Sequence, residues 1–231
     1  LQLKMNFGFR IFSKCFAPVS NYPNQISGLS SWLRADSNVT FSIPTKKVSA
    51  IGDGSGTNGV AQADKELQPL RYTYGGGALD KTMFTFDSDA LVSENNFTTN
   101  GTTAQEFTIF EVSKINAVSQ SVFGYFEFST GAYIEMGLNS TGHYTGSVSD
   151  GTTLLTKSAG SAGIGEYHIG CLRKQNKSVF VDYKSATSSS NLTDYDAAFD
   201  TAVSFENEKF RIGCTQESDG LTALILLTSN I

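Results

Sequence analysis

The stretch GLSSWLRADSNVT, residues 28–40, decides the fold. It holds the only tryptophan, Trp32, beside Leu33. A polar, turn-prone run follows, from Arg34 through Asp36 and Ser37 to Asn38, and then Val39 and Thr40. A single tryptophan in a chain rich in strand formers serves best as a core anchor, because it buries a large apolar surface at once. Downstream, Lys46-Lys47-Val48-Ser49 leads into the Gly/Asp/Asn turn IGDGSGTNGVAQA, residues 51–63. Gln68-Pro69-Leu70 comes next, then MFTFDS at 83–88, LVS at 91–93 and EFTIF at 106–110. Upstream, residues 1–12 read LQLKMNFGFRIF, in which Leu1, Leu3, Met5, Phe7, Phe9 and Ile11 alternate with polar residues or glycine. That is the period-two pattern of a strand with one apolar face. It excludes the continuous apolar core of a signal peptide.

Composition agrees with an all-β chain. At 231 residues and 24.9 kDa there is material for one sizeable core, a common size for a single sandwich. Only four prolines accompany abundant Phe, Tyr, Gly, Ser and Thr, which suits strands joined by polar turns. Charged residues make up 17%, below the usual quarter, so hydroxyls and amides are expected to cover the surface. The net charge of −5 gives no electrostatic reason to expect nucleic-acid binding. No apolar run approaches the length of a membrane span.

Strands are expected over 107–115, 121–128, 132–138, 143–148, 167–173, 178–183, 209–214 and 221–227, separated by turn signals such as Thr130-Gly131, Thr141-Gly142 and Asp150-Gly151. The segment DYDAAFDT, 194–201, reads as a loop or one helical turn. Many short strands without a long amphipathic helix indicate a β-sandwich. Residues 17–24, APVSNYPN, read as a linker with two prolines. The chain therefore divides into an arm and linker over 1–25 and a sandwich over 26–231. The arm either forms an edge strand of the chain's own sheet or adds to a neighbouring subunit; the linker favours the second.

The succession from Trp32 to Phe110 resembles the concanavalin A-like (laminin G-like) jelly-roll domains of phage and bacterial surface proteins. Further matches are the hairpin YHIGCLRKQNKSVFVDYK at 167–184, FRIGC at 210–214 and LTALILL at 221–227. The chain departs from that pattern in having Ile51 where a second tryptophan is usual and Arg34 where an acid is usual. The resemblance implies an all-β jelly-roll sandwich. It also implies a role as a virion or cell-surface structural module, such as a capsid decoration, head-fibre or tail-fibre protein. Partners would be other surface proteins or further copies of the chain, in a homo-oligomer such as a trimer, with the protein on a virion surface or extracellular. A secreted or surface lectin is the alternative, and a degenerate glycoside hydrolase the third reading.

Glycosidases of this superfamily carry Glu-x-Asp-x-Glu on one strand, where alternation brings the carboxylates to one face. Glu217-Ser218-Asp219 lacks the third acid, and Glu206-Asn207-Glu208 lacks the pattern, so a non-enzyme is expected. Nothing in the sequence points to a Ser-His-Asp triad around His143 or His168. The glycine-rich residues 52–59 lack the Lys-Ser/Thr of a phosphate-binding loop. Cys15, Cys171 and Cys214 show no paired metal spacing. A Cys171–Cys214 bridge and buried free thiols are both compatible with their placing.

No cofactor is expected beyond Ca2+, for which Asp87 and Asp89 are the best local ligands. The competing reading is ordinary turn capping by Asp. Sugar binding needs exposed aromatic faces flanked by polar groups. FGYFEFSTGAY, 123–133, is dense enough in aromatics to supply them. Alternation there sets Phe123, Tyr125 and Glu127 against Phe126 and Phe128, and Phe123, Tyr125 and Tyr133 are the expected sugar-facing residues. Sequons begin at Asn38, Asn96, Asn100, Asn139, Asn176 and Asn191, and their use depends on the host.

Overall fold

The computed structural model describes residues 33, 38–54, 58–74, 81–86, 89–96, 106–115, 117–127, 129–161, 164–202, 205 and 208–213. The expected arm at 1–11, Trp32, Asp87, Cys15, Cys214 and the last expected strand at 221–227 lie outside them. The described strands are β1 (Val39–Phe41), β2 (Val48–Ile51), β3 (Val60–Ala61), β4 (Leu70–Tyr74) and β5 (Lys81–Thr85). They continue with β6 (Ala90–Ser93), β7 (Phe107–Lys114), β8 (Gln120–Phe126), β9 (Ala132–Leu138) and β10 (His143–Asp150). The last are β11 (Leu154–Ser161), β12 (Tyr167–Gln175), β13 (Ser178–Ser185), β14 (Ser189–Tyr195) and β15 (Phe210–Gly213). No helix occurs among the described residues; the end of β14 and a turn replace the helical option for 194–201.

Two antiparallel sheets make the sandwich. The larger runs β1-β2-β3-β6-β15-β8-β9-β10-β11 and the smaller β14-β13-β12-β7, with β4–β5 as a separate ribbon. The late strand β15 lies between β6 and β8, and the chain changes sheet from β7 to β8 and again from β11 to β12. These crossovers between sheets are those of a concanavalin A-like jelly roll, as the motif succession implied.

The core lies between the sheets. Phe107 and Ile109 of β7, Leu172 of β12 and Val181 of β13 face Phe123, Tyr125, Ile134, Met136 and Val148 of the larger sheet, all buried. Phe205 ties the layers together, its ring 5.8 Å from Phe107 and 5.9 Å from Tyr125. Fully burying one such ring is worth roughly 1.5–3 kcal/mol. At Gly146 the layers approach closely: a Cβ there would lie 2.7 Å from Val181 Cγ2 and 2.8 Å from Leu172 Cδ1. Along one side β11 packs against β14. Thr156 N donates to Asp194 Oδ2 at 2.9 Å, and Lys157 Nζ lies 3.0 Å from Asp194 Oδ1.

Candidate functional site

The smaller sheet turns one face to the core and the other outward. Register fixes the outward rows across β14, β13 and β12: Tyr195–Ser178–Gln175, then Thr193–Phe180–Arg173, then Asn191–Asp182–Cys171. The β12–β13 hairpin closes through Asn176-Lys177. Asn176 takes φ of 50°, a left-handed conformation that Asn tolerates better than most residues. The hairpin tip is stitched to the loop at 196–202. Lys177 Nζ donates to Ala197 O, and Asp196 N donates to Lys177 O at 3.3 Å. Asp200 N in turn donates to Asp150 Oδ2 at 2.6 Å. Burial acts to raise the Asp150 carboxyl, but the backbone donors of Thr153, Asp200 and Thr152, with the Thr152 hydroxyl, together outweigh it and hold the group below its usual range.

Between tip, loop and sheet lies an open cleft of ≈ 440 Å³, lined by Gln175, Asn176, Lys177, Ser178, Phe180, Tyr195 and Thr201. The Tyr195 side chain is 64% exposed, and Phe180 is half-buried beneath the Arg173 guanidinium, 4.1 Å from its ring centre. The exposed Tyr195 ring, beside amides and hydroxyls, provides a stacking face plus donors and acceptors, the chemistry that recognises a sugar ring.

The structure places the expected residues differently. Phe123 and Tyr125 are corrected: both are buried, because their alternation phase points into the sandwich. Phe123 stacks on Phe210 at 5.5 Å and Tyr125 packs edge-on to Phe205, so neither offers a face to a ligand. Phe126, on the opposite phase, is the exposed one. Tyr133 is half-buried on the outer face of the larger sheet, so the three aromatics do not converge. Its hydroxyl is shifted upward by burial first and then by Glu135.

Of the two expected calcium ligands, Asp89 is buried and Asp87 lies outside the described residues. Among the described residues no three His, Cys, Asp or Glu side chains converge as a metal site. Cys171 is a free, buried thiol, pushed up to about 12 by burial and then by Asp182. Thiolate reactivity at neutral pH is thereby suppressed.

A second polar group escaped sequence reasoning. Glu111 and Ser113 of β7 point inward two residues apart and meet His168 of β12. Nε2 of His168 lies 2.7 Å from Ser113 Oγ and 3.2 Å from Glu111 Oε1. Tyr144 and Tyr183 pack their rings 5.2 Å and 5.4 Å from that imidazole. Burial first, and Glu111 second, push the Tyr144 hydroxyl well above its ordinary value. All five side chains are buried. Serine and carboxylate meet the same ring nitrogen, whereas a nucleophilic relay uses opposite nitrogens. The only sequence signal was the inward i, i+2 spacing of Glu111 and Ser113, a carboxylate sharing a face with Phe107 and Ile109.

No family model and no curated protein matches the chain. Solved structures align with it at low identity. The LG1-3 region of the laminin alpha2 chain aligns at 11% identity and TM-score 0.48, over 62% of this chain and 29% of that one. The enzymatically active domain of bacteriophage CBA120 tailspike protein 2 aligns at 10% and 0.45, over 69% and 26%. A family 7 alginate lyase, A1-II′, aligns at 13% and 0.42, over 89% and 95%. The chain thus spans under a third of the laminin and tailspike chains. Two of these three are enzymes, which corrects the expectation of a non-enzyme.

Proposed function

We propose that the protein is a glycan-binding module of a virion or cell surface, with the cleft beside Tyr195 as its binding site. The observation that carries this reading is Tyr195, 64% exposed, beside the half-buried Phe180, at the mouth of a cleft whose remaining lining is amide, hydroxyl and the Lys177 side chain. An apolar ring left in water is offset when a sugar's C–H face covers it, and the flanking polar groups then set orientation. The alternating segment at 1–11 supplies the attachment to other surface proteins or to further copies of the chain.

A glycan array with the intact protein tests the site. Tyr195→Ala should abolish binding with the melting temperature unchanged. Binding that survives Tyr195→Ala would move the site elsewhere.

A further inference from the structure

The outer face of the smaller sheet carries more than the cleft. Beyond Arg173, the register sets Lys184 level with Ile169, and Tyr167 level with Lys114. The Lys114 ammonium lies 5.7 Å from the Tyr167 ring centre. Tyr167 and Ile169 are 50% and 52% exposed. Among the outward positions of β7, β12, β13 and β14, Arg173, Lys184 and Lys114 are basic, and Asp182 alone is acidic. Asn191 donates to that acid, and Arg173 is its neighbouring cation. A basic strip therefore crosses a protein whose net charge is −5. From Gln175 at the cleft to Tyr167 is eight residues of β12, about 26 Å at ~3.3 Å per residue.

We propose that this strip is the continuation of the binding site, a track on which an extended acidic polysaccharide lies along β12 from Tyr195 to Tyr167. The inference rests on the reading of the cleft as a sugar site and names the class of sugar it takes. Two aromatic stations at either end stack on separate rings of one chain. The cations between them sit opposite its carboxylates or sulfates, a complementarity that the acidic remainder of the surface lacks. A ligand reaching both stations gains from effective concentration, whereas a short one engages only the cleft.

Isothermal titration of the full chain tests this with three probe series: oligogalacturonates, sulfated dextran oligomers and unmodified dextran oligomers. The first two separate carboxylate from sulfate. At least one acidic series should gain roughly tenfold or more in affinity from two or three sugars to about ten. Lys114→Glu/Lys184→Glu should remove that gain and leave affinity for the short acidic oligomers within about twofold. Raised salt should weaken the long oligomers most. Acidic affinity that is flat with length, or equal binding of unmodified dextran, would overturn the track while leaving the cleft reading intact. Failure of every series, with Tyr195→Ala also silent on a glycan array, would overturn both. Lys184 is exposed and Lys114 half-buried against Tyr167, so unchanged melting of the double variant is the check on its fold.

Discussion

Lys174 is a cation placed where its charge is poorly accommodated. Its side chain is buried, with Nζ 3.3 Å from Asn176 O and 5.2 Å from the centre of the Phe199 ring. Burial lowers its pKa from the ordinary 10.5 to about 8, against the smaller opposing pull of Glu106, Asp150 and Asp200. Between those two values the unfolded chain binds more protons than the folded one, so this group makes stability rise as pH rises from about 8 to 10.5. Lys174→Met should raise stability at pH 7 and remove that slope. Urea denaturation of both proteins at pH 7 and pH 10 measures the difference, which isolates Lys174 from other titrating groups. A wild type that gains nothing relative to the variant over this window would contradict the assignment. Alternation in YHIGCLRKQ already put Lys174 in phase with His168, Gly170 and Leu172. What could not be read was the loop at 196–202 that closes over it. The same phase ambiguity misdirected Phe123 and Tyr125, since period two separates two faces without saying which is the core.

At the scale of the element, the Glu111–His168 contact clamps β7 to β12, with Tyr144 of β10 against it from the opposite sheet. Removing one partner of a buried polar pair costs about 1–3 kcal/mol, because the other is left without compensation. His168→Ala should lose stability on that scale in urea denaturation, and Glu111→Leu/His168→Leu should recover at least half. A double variant as unstable as the single would show that packing, rather than the stranded carboxylate, sets the loss. Strands with apolar alternation, such as β7, β9 and the β12–β13 hairpin, were legible from sequence. LLTKSAGS and SSNLTDY were not, because β11 and β14 are sheet edges whose mostly polar residues are recruited by pairing on one side. The missed β14 also hid the cleft, since Tyr195 is its final residue.

For the whole molecule, the jelly-roll sandwich was legible because tertiary packing there repeats a local code of period two. The aromatic cleft joins the hairpin tip to a loop some twenty residues later in the chain, and no local pattern encodes that meeting. Attachment through the segment at 1–11 has its own test. Light scattering of the full chain against residues 25–231 at matched concentration should show assembly for the first and a monomer for the second. Equal masses would remove the segment from that role. The packing of β11 on β14 has a further consequence. Each edge sits against the other, and the amide of Thr156 is already taken by Asp194. Neither edge is left as a template for a passing strand. At high protein concentration those two edges are therefore not expected to seed fibres.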